Sequence, residues 1–344
     1  MNNDQKILKI AEPAINGYPK HAIQLAVLCQ HDSSLSWILS NYIQLRCPKS
    51  INDRQYSSWL DFYFIDPKYT DSLLYTELLS RKTILAFHKD NFIDFLISCI
   101  NLDHYIYTSV NEFYIPHTTA FQKYYFPHSI LIFGYDLKKE TFNVGGFVNK
   151  SIGNKFTRFD VSFKDIEKAY MTLEVTDDDN YLNRFYLMKI NHSKKYSFDP
   201  VIVKELLQDY LDSKNTSERL RGFYNPNNDF YYGMKIYDNL KLNYNMENID
   251  CSDVRPLYIL WEHKACMLTR IKYLSDNNYI KKESFYYKDY NEVERKSLIC
   301  KNLYLKYQVT RDKKIVYRLL SFLESIIEEE KIILHNLLED IYSI

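Results

Sequence analysis

The chain's 344 residues are enough for one large domain or two ordinary ones, and its 44 Lys and Arg residues balance its 44 Asp and Glu residues. Because the formal net charge is zero, there is no general electrostatic attraction to nucleic acid or to an anionic membrane, and we expect neither as a partner. The 7 glycines include no GxGxxG or GxxxxGKS segment, so a phosphate-cradling loop is also excluded.

The cysteines are scattered along the chain, without a CxxC pair or a Cys/His cluster at metal-binding spacing: Cys29, Cys47, Cys99, Cys251, Cys266 and Cys300. We therefore expect reduced thiols, no metal and no cofactor. The N-terminal segment lacks the apolar core of a signal peptide, and no apolar run approaches the length of a membrane span. These features predict a cytoplasmic protein, and they do not indicate an oligomeric state.

The first elements are predicted to be mainly helical. Because proline is favoured in the first helical turn and residues 23–28 are mostly apolar, a buried helix should begin near Pro19 or Lys20. Apolar residues at helical spacing in 35–45 predict a second helix, and amphipathic patterns predict helices at 72–80 and 89–100. Residues 105–110 should begin a sheet.

The segment 125–147 is predicted to form two buried strands joined by a charged turn. Residues 129–135 are aromatic, aliphatic and β-branched without polar alternation, which suits a strand covered on both faces. His128 precedes this strand, so it is either a hydrogen-bonded structural histidine or a catalytic group on a rigid element. The connection 111–124 carries polar groups, among them Glu112, that are close to this strand in sequence.

Further strands are predicted at 156–163 and 181–190, and helical periodicity dominates after Asp199-Pro200. The predicted helices of this part are 201–211, 231–240, 254–274, 290–307 and 314–342. His263 shares a helical face with Met267, which favours a buried, hydrogen-bonded imidazole. The pattern predicts a mixed domain, residues 1–197, followed by an all-helical domain, residues 198–344.

Residues 17–190 resemble the papain-like, C39-peptidase-like N-terminal domain of butirosin biosynthesis protein H and its relatives in natural-product gene clusters. The resemblance rests on Tyr18-Pro-Lys-His-Ala22 before a helix, on Leu35-Ser36, and above all on His128-Ser-Ile-Leu-Ile-Phe-Gly-Tyr-Asp136. It implies an α+β fold with a papain-like (C39-like) domain around a central antiparallel sheet. The implied activity is acyl transfer, in which a cysteine takes an acyl group from a carrier-protein thioester and an amine accepts it.

This chemistry needs a thiolate at a helix N-terminus, a histidine as base, and an Asn or Asp that orients the histidine. The chain departs from that pattern, because Ala22 follows His21 where the family has a cysteine. Cys29 lies on the same helical face, but two turns further on, about 10 Å along the axis. The orienting group is either Asn143 or, in the other register, Gly146.

The resemblance thus implies catalytic roles for His128 and Asn143 and substrate contacts at four positions: His21, Ala22, Cys29 and Tyr135. We expect a degenerate relative that binds an acyl or peptidyl carrier protein, or an acyl or peptidyl substrate, in natural-product biosynthesis. The alternative is an active acyltransferase, or an amide-forming or amide-hydrolysing enzyme, that uses His128 with a relocated or absent cysteine. A structural or toxin-like role is a further alternative.

Overall fold

The structure is a computed structural model that describes residues 4–49, 59–63, 73–150, 153–175, 181–220, 229–280 and 285–341. Its strands, in chain order, are β1 (Gln5–Ile7), β2 (Gln44–Pro48), β3 (Asp61–Tyr63), β4 (Leu74–Ser80), β5 (Tyr105–Asn111), β6 (Pro127–Asp136), β7 (Thr141–Lys150), β8 (Gly153–Ser162), β9 (Arg184–Ile190) and β10 (Phe230–Tyr232). Its α-helices are α1 (Pro19–Leu28), α2 (Ser34–Asn41), α3 (Arg81–His88), α4 (Phe92–Asn101), α5 (Phe163–Met171), α6 (Pro200–Leu211), α7 (Ile236–Asn243), α8 (Arg255–Asp276), α9 (Phe285–Thr310) and α10 (Lys314–Asp340).

The chain divides into two compact units. The first consists of Met1–Ser34 and Pro67–Tyr196, and the second of Leu35–Asp66 and Ser197–Ile344. A mixed α+β protein with an antiparallel sheet and C-terminal helices is thereby confirmed.

The segment 35–66 lies in the second unit, whereas the sequence analysis assigned it to a domain spanning residues 1–197. Its strand β2 pairs with β10, and the buried Arg270 of α8 donates hydrogen bonds to the carbonyl oxygens of Leu39 (2.6 Å) and Tyr42 (2.7 Å). Apolar periodicity identifies a buried face but not the element that covers it. The unit to which this segment belongs could therefore not be predicted from its position in the sequence.

The first unit is built on a seven-stranded sheet in the order β4-β9-β5-β6-β7-β8, with β1 also paired to β6, and every pairing is antiparallel. Successive side chains of β6 point to opposite sides of the sheet. Ile130 and Ile132 join a core with residues of α4 and α5, whereas Leu131 and Phe133 join a second core with residues of α1. This continuous burial on both sides explains why the strand sequence shows no polar alternation.

The prediction of a helix at 72–80 is wrong, because residues 74–80 form strand β4. This strand pairs with β9 along its whole length, from Leu74 opposite Ile190 to Ser80 opposite Arg184. The helix begins only afterwards, where the Ser80 hydroxyl accepts a hydrogen bond from the Thr83 amide (3.0 Å) and caps α3. Pairing with a neighbouring strand has overridden a local amphipathic pattern.

The second unit combines helices with a three-stranded sheet in the order β10-β2-β3, so the expectation of an all-helical domain at 198–344 is corrected by β10. This strand takes the place of the first residues of the helix predicted at 231–240. Gly233 follows with φ of 51°, and a Cβ atom there would collide with the carbonyl of Tyr210. Glycine therefore allows the turn between β10 and α7.

An ion pair lies in the core of the second unit. The Lys264 ammonium on α8 lies 2.7 and 2.8 Å from the two carboxylate oxygens of Glu330 on α10, and both side chains are fully buried. Glu330 also accepts hydrogen bonds from three tyrosine hydroxyls: Tyr210, Tyr237 and Tyr290. Every polar group of this network is thus satisfied, as a buried charge requires.

His263, next to Lys264 on α8, is fully buried and lies with Nε2 2.7 Å from the carbonyl oxygen of Ile43. Its Nδ1 lies 3.1 Å from the Lys264 ammonium. The prediction of a buried, hydrogen-bonded histidine is confirmed.

Candidate functional site

The pairing of β5 with β6 positions His128. Val110 lies opposite His128, and Asn111 lies opposite Pro127. The chain then leaves β5 in a single 3₁₀ turn, Glu112–Tyr114, which brings Glu112 beside the imidazole. His128 Nδ1 lies 2.6 Å from Glu112 Oε1, within the range of a charge-assisted hydrogen bond.

The turn that carries Glu112 is fixed by the backbone around it. The amide of Glu112 donates to the carbonyl of Phe126 (2.8 Å), two residues before His128. The side-chain oxygen of Asn111 accepts from the amides of Phe113 (3.1 Å) and Phe126 (3.3 Å). The carboxylate and the imidazole therefore stand on two segments that are hydrogen-bonded to each other.

The burial of the two side chains differs. The side chain of Glu112 is 6% exposed, whereas that of His128 is 25% exposed. A buried carboxylate requires a hydrogen-bond partner, and Nδ1 of His128 lies within hydrogen-bonding distance of it. Because Nδ1 faces the buried carboxylate, the edge of the ring that carries Nε2 is the edge available to solvent or substrate. In the tautomer that carries its proton on Nδ1, Nε2 keeps the lone pair that a general base needs.

Aromatic rings border the imidazole. The ring centroid of Phe126 lies 5.6 Å from that of His128, and the centroid of Phe147 lies 6.0 Å from it. Phe126 and its neighbours Tyr124 and Tyr125 are each more than two-fifths exposed. The partly exposed histidine is thus flanked by apolar surface to which a substrate could bind.

His21 and Ala22 lie in α1, almost completely buried at 3% and 0% exposure. Ala22 packs in the same core as Leu131 and Phe133. His128 pairs with Val110, which belongs to the core on the other side of the sheet. Strand alternation places His128 on the same side of the sheet as Val110 and Ile130, although Phe147, which lies beside the imidazole, packs against the core that contains Ala22.

Tyr135 lies at the end of β6 that is far from His128, and Asn143 lies beside that end on β7. Asn143 pairs with Gly134, six positions beyond His128, which is about 20 Å along the strand. Its side-chain amide donates to Asp160 (2.8 Å), and the Tyr135 hydroxyl donates to Asn101 (2.8 Å). The alternative residue Gly146 pairs with Thr157 on β8. Neither Asn143 nor Tyr135 is brought to the His128 imidazole.

Cys29 lies just after the C-terminal end of α1. Burial raises the pKa of its thiol, and a hydrogen bond to the backbone at Ala14 only partly opposes this. A helix C-terminus also disfavours a negative charge. These surroundings favour the unreactive thiol over the thiolate.

Glu112 is the residue that the sequence analysis did not assign to the site. It is 16 residues from His128 in the chain, and only the pairing of β5 with β6 brings them together. The available indication was its position shortly after the strand predicted at 105–110, in a connection that is close to His128 in sequence.

Within the described ranges, no group of three or more His, Cys, Asp and Glu side chains is arranged to hold a metal ion. Among the helices of the described residues, none combines the length and the apolar character needed to cross a bilayer. No protein-family model matches the chain, and a search of curated proteins finds no match. The geometry around His128 and Glu112 is therefore the structural feature that bears on function.

Proposed function

We propose that the first unit catalyses transfer of an acyl group from a thioester to an amine, a hydroxyl or water, with His128 as general base and no covalent enzyme intermediate. The observation that carries the proposal is the 2.6 Å contact between His128 Nδ1 and the Glu112 carboxylate. It supports base chemistry because the carboxylate favours the tautomer in which Nε2 accepts a proton. The acyl substrate and a place in natural-product biosynthesis come from the resemblance to the butirosin biosynthesis protein H domain.

In this reaction His128 Nε2 removes a proton from the attacking amine while the amine nitrogen bonds to the thioester carbonyl carbon. The imidazolium keeps its Nδ1–H on the ionised Glu112, which stabilises the new positive charge. When the carbon–sulfur bond breaks, the leaving thiolate takes the proton from Nε2, and the histidine returns to its starting state. A positioned base of this kind accelerates a reaction by about 10²–10⁴-fold.

A second candidate is a papain-like (C39-like) domain that has lost its nucleophile and binds an acyl or peptidyl carrier protein without catalysis. The observation that favours it is Ala22, which stands where the family has its cysteine and is 0% exposed within the core. In this case the contact between His128 and Glu112 would serve only to hold the turn after β5.

The test is a comparison of thioester cleavage by wild type, His128→Gln and Glu112→Gln, with short acyl thioesters as substrates and a primary amine as acceptor. Released thiol gives the rate, and amide formation gives the product. His104→Gln is a matched control from the same unit. The side chain of His104 is 17% exposed and its Nε2 lies 3.8 Å from Glu77, but that carboxylate is 66% exposed.

We expect His128→Gln to lower the rate by about 10²-fold or more, Glu112→Gln to lower it less, and His104→Gln to leave it unchanged. If the wild type cleaves no thioester yet binds an acyl carrier protein, the non-catalytic candidate is supported instead. Equal rates for wild type and His128→Gln would refute the proposed role of the histidine.

A further inference from the structure

Helix α10 carries a stripe of exposed residues on which the charges are separated by sign. Lys314 and Arg318 lie in its first two turns, and Glu324 and Glu328 follow further along the helix. These four residues and Ser321 between them are exposed and are spaced three or four positions apart, so they share one side of the helix. We call this set the charged stripe: it is basic at one end, neutral at Ser321 and acidic at the other end.

The charges of the stripe have no partners in their own chain. Within the described part of the chain, none of the four side chains forms an ion pair. Other glutamates of the same helix do, because Glu329 pairs with Lys296 of α9 and Glu330 pairs with Lys264 of α8. Glu328, directly before them, points to solvent instead.

The order of these charges does not stabilise an isolated helix. Lys314 and Arg318 are four residues apart, as are Glu324 and Glu328, so each pair places like charges one turn apart on the helix surface. Lys314 also stands at the first position of α10, where the backbone dipole is positive, and the first turn contains no acidic residue. Counter-charges supplied by another molecule would relieve both effects.

The charged stripe is complementary to itself in the antiparallel direction. Arg318 and Glu324 lie three residues to either side of Ser321, which is about 4.5 Å along the helix axis. Lys314 and Glu328 lie seven residues to either side, which is about 10 Å. A twofold axis at Ser321 therefore brings the basic turns of one copy against the acidic turns of a second copy. A parallel arrangement would instead bring like charges together.

Two further features of the stripe suit contact with another helix. Tyr317, one turn before Ser321, is 65% exposed, so its ring offers apolar area that a partner can cover. Ser321, at the centre, has a small side chain, which allows the backbones of two helices to approach closely.

We propose that two copies of this chain associate through the charged stripe, with their α10 helices antiparallel around a twofold axis at Ser321. In such a dimer each copy presents the same surface to the other, which is the commonest symmetry among soluble oligomers. Because the formal net charge of the chain is zero, the two copies do not repel each other as a whole. This inference is independent of the proposed chemistry of His128.

The test measures the mass of the full-length protein by sedimentation equilibrium over a series of protein concentrations, against a monomer mass of 41.3 kDa. An acidic-stripe variant carries Lys314→Glu and Arg318→Glu, and a basic-stripe variant carries Glu324→Lys and Glu328→Lys. Each variant is measured alone and in an equimolar mixture with the other. Because all four positions are exposed, both variants should remain folded, which circular dichroism checks.

The matched control carries Lys288→Glu and Lys306→Glu. Both lysines are exposed on α9, outside the charged stripe, and the control changes the net charge by the same amount as the acidic-stripe variant. It separates an effect of the stripe from an effect of overall charge.

We expect wild type and the control to reach the dimer mass at micromolar concentrations. Each stripe variant alone should dimerise about 100-fold more weakly, because its two copies present like charges at all four contacts. The equimolar mixture should dimerise within about tenfold of wild type, because opposite charges meet again at every contact.

The proposal is overturned if wild type stays at the monomer mass at every concentration, or if either stripe variant dimerises as tightly as wild type. It is also overturned if the mixture of the two folded variants stays monomeric. A control that loses dimerisation as strongly as the acidic-stripe variant would overturn it too, because that result indicates sensitivity to net charge rather than to the stripe.

Discussion

Nδ1 of His128, on β6, and Oε1 of Glu112, in the turn after β5, lie 2.6 Å apart. This contact should contribute to stability as well as to orientation. We expect Glu112→Ala to destabilise the first unit by about 1–3 kcal/mol, because Nδ1 of His128 loses its partner at the position where the Glu112 side chain is only 6% exposed. Urea unfolding of the variant measures the change. A variant as stable as wild type would show that the contact is not formed in solution.

Alkylation of the cysteines should leave thioester cleavage unchanged. Cys251 is exposed, whereas Cys47, Cys99, Cys266 and Cys300 are buried. Burial raises the pKa of Cys47, Cys99 and Cys300 to about 12, which suppresses their thiolates. Intact mass after iodoacetamide treatment should therefore show one fast adduct, on Cys251.

The matched controls are Cys29→Ala and Ala22→Cys, each incubated with an acyl thioester and examined by intact mass. We expect no acyl adduct on either protein, because the position of Ala22 is fully buried in the core beside α1. A wild-type adduct that disappears in Cys29→Ala would instead identify a relocated nucleophile. An adduct only on Ala22→Cys would indicate a cleft that has lost its cysteine.

Much of the fold could be predicted because its helix starts have local causes. Proline at the first positions of α1, α6 and α8 marked each helix start, and the Asp199 side chain caps α6 by accepting from the Val201 amide (2.9 Å). Strand β6 could be predicted because its burial on both sides left a continuous apolar run. Each of these features depends on neighbours in sequence.

The rest could not be predicted because it depends on partners distant in sequence. Glu112 becomes a partner of His128 only through strand pairing, and β4 is a strand only because β9 lies beside it. The side of the sheet that His128 faces follows from the pairing of β6 with β5, in which His128 lies opposite Val110. A single sequence shows that the side chains of a strand alternate between the two sides of the sheet, but it does not show which helix packs on each side.

The effects of changing Lys264 and Glu330, the buried ion pair of the second unit, on the free energy of unfolding should be coupled. Lys264→Met leaves Glu330 buried without its counter-charge, and we expect a loss of about 3–5 kcal/mol. Glu330→Gln should cost a similar amount for the same reason. The double variant should lose less than the sum of the two, and urea unfolding of all four proteins gives the coupling energy. Additive losses would show that the two groups do not interact.

The stability of the second unit should fall in mild acid because of His263. Burial, and then the positive charge of Lys264, lowers the pKa of His263 well below its ordinary value of 6.5. Below pH 6.5 the unfolded chain binds a proton at His263 and the folded chain does not, so unfolding becomes more favourable as the pH falls. The slope should approach about 1.4 kcal/mol per pH unit between pH 6.5 and the lowered pKa.

His263→Gln is the comparison for this prediction, because glutamine can donate to the Ile43 carbonyl and accept from Lys264. We expect it to be less stable than wild type at pH 7.5 but to show a smaller loss between pH 6.5 and 5.5. An unchanged slope would mean that another group controls the acid sensitivity.

The central claim, that Glu112 holds His128 with a free lone pair on Nε2, is tested most directly by the tautomer of the neutral imidazole. Long-range ¹H–¹⁵N NMR correlations distinguish a protonated from an unprotonated ring nitrogen, and loss of the signals in His128→Gln assigns them. We predict a protonated Nδ1 and an unprotonated Nε2 in wild type. A protonated Nε2 would contradict the account, because Glu112 would then be the donor and His128 could not act as the base.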